Sequence, residues 1–147
     1  MRGLTSAQLF DSLREATGQK AEDDRFDFAQ RGARADFLAR FPDPDHPAEA
    51  QTSILQALYL MNGKMVADAT TVQGNPSLRI LAEAAKMTTA RRVEELYLAV
   101  LSRRPRPAET ARLVKYIDAG GPQHDPKKAL ADVLWALLNS SEFYLNH

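Results

Sequence analysis

Apolar residues recur every three or four positions through most of the chain, and polar, Gly- or Pro-containing breaks divide them into segments. In "LTSAQLFDSLREATGQ" the residues Leu9, Phe10, Leu13 and Ala16 lie at helical spacing. Thr5 and Gln8 have capping-box spacing and Gly18 supplies a stop, so a first helix is predicted over about residues 6–17. The following "KAEDDRFDFAQRGARADFLARFPDPDHPAEA" mixes charges with isolated Phe residues and reads as a loop with a short helix near Ala33–Arg40. The three prolines of "FPDPDHP" remove donors and restrict the residues before them, which excludes regular structure there.

From Ala48 to about Ala69, the residues Ile54, Ala57, Leu58, Met61 and Met65 share one helical face, predicting a long core helix. Asn62-Gly63 falls inside it and marks a break or a close helix crossing, because Gly costs about 1 kcal/mol against Ala in a helix interior. Asn75 as cap and Pro76 at the first helical position open a short helix. Val93, Leu96, Tyr97, Val100 and Leu101 then form one stripe, and Leu113, Val114 and Ile117 another. Pro105 and Pro107 enforce the turn between them and Gly120-Gly121 follows, a pattern that predicts an antiparallel helical hairpin.

Asp125 and Pro126 open the last helix, which the pattern carries to about residue 143 or 144. Around it, Leu130, Val133, Leu134, Leu137 and Tyr144 fall on one face, and Leu138 and Trp135 widen that face beyond half the circumference. Trp135 is accordingly expected in the core, and Ser140-Ser141-Glu142 as a helix end. No segment alternates with period two, so the expected fold is an all-α bundle of five to seven helices without a sheet, one domain over residues 1–147.

Composition changes the picture mainly by exclusion. A chain of 147 residues with 44% hydrophobic and 26% charged side chains is long enough to bury one core. It has no apolar run approaching the roughly 18–20 residues of a membrane-spanning helix. The start "MRGLTSAQLFDSL" lacks the apolar stretch of a signal peptide, so the chain is expected to be cytoplasmic or a segment of a longer secreted protein. Without cysteine there is no disulfide, thiolate metal site, Cys nucleophile or Cys-linked haem.

The formal charge is zero but uneven, −3 over residues 1–50 and +5 over residues 86–115. A nucleic-acid domain usually carries a large overall excess of positive charge, so the basic stretch reads as a solvated helix face and no nucleic-acid partner is expected.

Candidate chemistry yields no catalytic, cofactor-binding or metal residue. His46, His124 and His147 are far apart in loops or at the terminus, without the spacing of a ligand pair. Asp43, Asp45 and His46 lie together but lack the glycine and distal Glu of a calcium loop. No nucleophile elbow surrounds any serine, and the seven glycines form no phosphate-cradling loop. Asp23-Asp24 and Glu94-Glu95 read as solvated carboxylates, and Trp135 and Tyr97 as core aromatics rather than a binding cage. Arg103, Arg104 and Arg106 form a compact basic turn that suits a helix C-terminus, with an acidic protein surface as the alternative partner.

Four blocks, "RGLTSAQLFDSLREATG", "TSILQALYLMNGKMV", "RVEELYLAVLSRRPRPAE" and "ALADVLWALLNSSEF", resemble in that order the C-terminal domain of unknown function, family fifteen-fifty-three, of large planctomycete-type secreted proteins. The last two blocks, over about residues 88–143, also resemble a bacterial extracellular repeat domain related to surface and linker proteins. The first resemblance covers nearly the whole chain. It implies the C-terminal part of a longer extracytoplasmic protein, with upstream domains as partners and often a cytochrome c-like module among them. It carries no established catalytic residues, and any haem would belong to an upstream module. The expected role is a non-enzymatic structural or interaction module. The alternative is a domain that completes the active site or cofactor pocket of a larger enzyme, through Asn62, the Arg103–Arg106 turn or the C-terminal face.

Overall fold

Two helix starts in this chain, Asn75-Pro76 and Asp125-Pro126, are written locally by a capping side chain followed by a proline whose missing N–H costs nothing at the first helical position. A computed structural model describes residues 2–3, 6–16, 32, 34, 35, 37–39, 63, 67 and 70–146. Helix α1 (Ser6–Ala16) buries Leu9, Phe10, Leu13 and Ala16, the stripe its sequence predicts. Residues 34, 35 and 37–39 are helical, within the short helix expected there. Phe37 is buried against Phe10, with ring centroids 5.4 Å apart and planes tilted by 57°. Thr5, Gly18, the Pro-rich stretch and the helix expected over residues 48–69 lie outside the described residues, apart from Gly63 and Ala67. Gly63 is not helical, and its carbonyl accepts the Ala67 N–H at 3.0 Å.

Helix α2 (Pro76–Glu83) begins as the sequence predicts: Asn75, almost fully buried, accepts the Leu78 N–H at 3.0 Å. Thr88 caps α3 (Thr89–Leu101) by accepting the Arg91 N–H at 3.2 Å. The stripe Val93, Leu96, Tyr97 and Val100 is buried, and Leu101 is half-buried. Ser102, with φ 54°, ends α3 in the left-handed region, and Pro107 opens α4 (Pro107–Asp118). Ile117 of α4 is buried, with Leu113 and Val114 packed beside the core. The hairpin is antiparallel: Thr89 at the start of α3 donates its hydroxyl to Asp118 at the end of α4 at 2.6 Å.

The turn after α4 needs its glycine, because Gly120 has φ 78° and a Cβ there would lie 2.5 Å from the His124 carbonyl carbon. A single 3₁₀ turn (Gly121–Gln123) leads to α5 (Pro126–Leu138), where Asp125 accepts the Lys127 N–H at 2.9 Å. Seven residues of α5 are buried, Ala129, Leu130, Ala131, Val133, Leu134, Leu137 and Leu138. Helix α5 packs on both arms of the hairpin and on α2, while α1 packs on α3. It therefore closes the core, and each leucine it buries stabilises the fold by about 1.5–3 kcal/mol before entropy costs.

The fold is all-helical, with five helices of eight residues or more among the described residues. Where no sheet is expected, the described residues hold none beyond a two-residue pairing. One two-residue antiparallel ladder, β1 (Arg2–Gly3) with β2 (Leu145–Asn146), joins two segments far apart in sequence.

Two details of the last helix differ from the sequence reading. The helix does not run to residue 143 or 144: α5 stops at Leu138, Asn139 leaves helical geometry at φ −94° and ψ 6°, and a four-residue helix, α6 (Ser141–Tyr144), follows. Asn139 Nδ2 donates back to the Trp135 carbonyl, and Ser140 Oγ to the Leu137 carbonyl, so side chains satisfy the end of α5. Trp135 is not core, being 37% exposed. The buried residues of α5 sweep an arc of roughly 200°, and Trp135 falls just past its edge, on the strip of Lys128, Asp132, Ala136 and Asn139. An indole tolerates that rim, where one side packs and the other meets water.

Candidate functional site

The α3–α4 turn holds the most developed polar cluster among the described residues. Glu109 occupies the third position of α4, where its carboxylate accepts the Arg106 backbone N–H at 2.7 Å, as a capping-box glutamate does. The same carboxylate receives Arg103 Nη1 at 3.0 Å and Nη2 at 3.1 Å, a two-pronged pairing. On its other edge Arg103 meets Glu142 of α6, donating from Nη2 at 2.8 Å and also from Nε. Arg103 Nη1 further donates to the Arg104 carbonyl at 3.0 Å. The guanidinium carbon stands 5.1 Å from the centroid of the Tyr97 ring, within cation–π range. One cation thus joins the end of α3, the start of α4 and α6.

The electrostatics follow from this crowding. Hydrogen bonds from Arg103, then from the Arg106 backbone, hold the Glu109 carboxyl down to about 2. The Arg103 guanidinium, bonded to Glu142 and then Glu109, is pushed further above its already high value. Burial, reinforced by the negative charge of Glu109, pushes the Tyr97 phenol up. Arg103, Glu109 and Tyr97 are therefore fixed in charge near neutral pH, and none is poised to give or take a proton there. What they can do is fix geometry.

Other polar groups are similarly engaged. Arg91 pairs with Glu94 at 2.7 Å and with Glu95, and Arg104, itself 78% exposed, reaches Glu94 at 3.1 Å. Glu94-Glu95 is thus bound to arginines of the same chain rather than simply solvated. Tyr116 donates its hydroxyl to Asp132 at 2.8 Å, tying α4 to α5, and that bond pushes the Tyr116 phenol up. Of the three arginines singled out in the turn, Arg103 and Arg104 meet carboxylates of their own chain, while Arg106 is exposed and its backbone serves the cap. Tyr97 and Trp135 form no aromatic cage, since the Tyr97 ring lies beneath Arg103 and Trp135 sits on the rim of α5.

His124 is an exposed residue with φ 53°. His46, His147, Asp43, Asp45, Asp23, Asp24 and Asn62 lie outside the described residues. Among the described residues no cluster of three or more His, Cys, Asp or Glu side chains could hold a metal ion.

Two concavities lie among the described residues. One, of about 270 Å³, has a mostly apolar lining from α1, α2, α3 and α5, including Leu78, Ile80, Leu81, Met87, Leu96 and Leu134. Ile80 on its wall is 69% exposed. Asn75 and Glu95 also line it, but Asn75 caps α2 and Glu95 pairs with Arg91. The other, also about 270 Å³, lies between Ala82, Arg92, Ile117 and the start of α5. Arg92 Nη2 there donates to the Ala84 carbonyl at 2.9 Å, and its Nε is buried without a hydrogen-bond partner.

The sequence reading found Arg103 but not its partners. The Pro107-x-Glu109 spacing at a helix start was a usable local signal for Glu109. No local pattern connects Arg103 with Glu142, which lies 39 residues away.

A family model described as "PSD1: Protein of unknown function (DUF1553)" matches residues 7–117. The match takes in the second and third sequence blocks and most of the first, and it ends before α5 and the fourth block. No curated protein and no solved structure matches the chain.

Proposed function

We propose that this chain, which belongs to the PSD1 family of proteins of unknown function (DUF1553), serves as a non-enzymatic helical structural or interaction module of a larger extracytoplasmic protein. In this reading it is the C-terminal part of a planctomycete-type secreted chain, and its partners are the upstream domains. The observation that carries the proposal is the Arg103 cluster. The most organised polar groups of the described structure are locked to one another in fixed charge states, which suits a scaffold better than proton transfer. The acidic-partner alternative passes to Arg106, because Arg103 and Arg104 already have carboxylates.

A second reading, in which the domain completes the active site or cofactor pocket of a larger enzyme, draws on the apolar concavity beside α2 with exposed Ile80 on its wall. One experiment separates the two. Thermal unfolding of the isolated chain is followed against divalent metals, haem and oligosaccharides, and then against the separately expressed upstream domains of its parent. The module reading expects stabilisation by an upstream domain alone. Saturable stabilisation of several degrees by one of the small ligands would overturn it in favour of the pocket reading.

A further inference from the structure

Folding concentrates the positive surplus of residues 86–115 on one helix. The glutamates of that stretch are taken up by its own arginines: Glu94 by Arg91 and Arg104, Glu95 by Arg91, and Glu109 by Arg103. Of the cations left, Arg106 precedes α4 while Arg112 and Lys115 stand on it, and all three are exposed. At 100° per residue, the exposed Ala108, Ala111, Arg112 and Lys115 share an arc of about 100° on α4. That arc holds no carboxylate, and Asp118 at its edge accepts the Thr89 hydroxyl. Neither Arg112 nor Lys115 has a side-chain hydrogen bond or ion pair among the described residues. Lys127 and Lys128 carry the positive surface across the turn to α5. Both are exposed in the first turn of that helix, where the dipole already disfavours cations. The carboxylates beside them are occupied, Asp125 by the Lys127 and Lys128 backbone N–H groups and Asp132 by the Tyr116 hydroxyl. A grouping of like charges that works against the fold's own stability points to a use outside the fold.

We propose that the outward face of α4, continued by the first turn of α5, is a docking surface for an acidic polypeptide segment. Arg112 and Lys115 form its centre, Arg106 lies at one end, and Lys127 and Lys128 lie at the other. Charge complementarity names the partner, because exposed cations without carboxylates of their own attract and orient an acidic segment. A polypeptide suits the face better than a nucleic acid: its residues include no aromatic side chain on which bases could stack, and the whole chain carries no net charge. The proposal rests on the interaction-module reading for the source of that segment, an upstream domain. It extends the acidic contact from the Arg103–Arg106 turn along α4, since Arg103 and Arg104 are already paired.

The test is fluorescence anisotropy of a labelled helical peptide, with glutamate at every third and fourth position, added to the full chain. Binding should saturate at about 0.05 M NaCl and weaken strongly at about 0.5 M. Arg112→Glu and Lys115→Glu, each alone, should weaken it at least about fivefold, while Arg79→Glu, the same charge change on the exposed side of α2, should alter it less than about twofold. Absence of saturable binding would overturn the proposal, as would an equal loss from Arg79→Glu. Single-stranded DNA of equal charge binding as tightly would make the face a general polyanion surface and overturn it too. A low-salt dimer in sedimentation that Lys115→Glu dissolves would seat a second copy there instead. Thermal unfolding with an upstream domain separates this proposal from the reading it rests on. Stabilisation that Arg112→Glu and Lys115→Glu leave intact overturns the face and keeps the module. Peptide binding to the face without stabilisation by any upstream domain does the reverse.

Discussion

Leu134 and Arg103 serve the same bundle by opposite means. Leu134, 1% exposed, lies in the apolar interior that α5 closes against α2, α3 and α4. Arg103, with 30% of its side chain exposed, joins three elements through charge and direction. Apolar contact is non-directional and grows with area, so the interior contributes most of the stability without specifying a unique connection. A forked guanidinium contributes less, because water already solvates it well, but it fixes which carboxylates lie where. The interior thus makes the chain fold, and the charged corner sets how the start of α4 and the last turn are placed.

The largest expected effect comes from breaking the apolar side of this comparison. Leu134→Ala should destabilise the protein by about 2–5 kcal/mol in chemical denaturation, and a cost below about 1 kcal/mol would show that α5 does not close the core. Arg103→Met should cost less, about 1–2 kcal/mol, since it removes the guanidinium hydrogen bonds from Glu109 and Glu142 at a half-buried site. A loss as large as that of Leu134→Ala would erase the proposed distinction between core and corner.

The pH dependence sharpens the same point. Glu109 has its folded pKa depressed to about 2 from an ordinary value of 4.5. Its contribution is therefore fully present above the unfolded pKa and is lost as pH falls through the window from about 4.5 to 2. With solvent screening, a loss of about 1–2 kcal/mol is expected across that window in unfolding measured against pH. Glu109→Gln should flatten that part of the profile, and an unchanged acid slope in the variant would remove Glu109 from the account.

Smallest of all should be Trp135→Ala. The indole is 37% exposed on the rim of α5, so the cost should stay below about 1.5 kcal/mol, under that of Leu134→Ala by denaturation. Indole emission in the unmodified protein should be quenched readily by added iodide. Shielding from iodide together with a cost above about 3 kcal/mol would return Trp135 to the core.

The sequence by itself determined where helices start and which stripe each presents. Asn75-Pro76, Asp125-Pro126, the 93–100 stripe and, Trp135 apart, the 130–138 stripe appear in the structure as they read, because a cap reaches two or three residues and helical periodicity depends only on near neighbours. Membership of the family was legible too, from blocks of such local pattern. Only the tertiary structure decided that Trp135 stands outside the buried arc, that α5 ends at Leu138 and that Glu142 returns to Arg103. An apolar arc wider than half a helix does not say how much of itself its neighbours will cover. A carboxylate 39 residues from an arginine has no local term that pairs them. Both outcomes depend on where other helices lie, which is set when the whole core closes and not by any single segment.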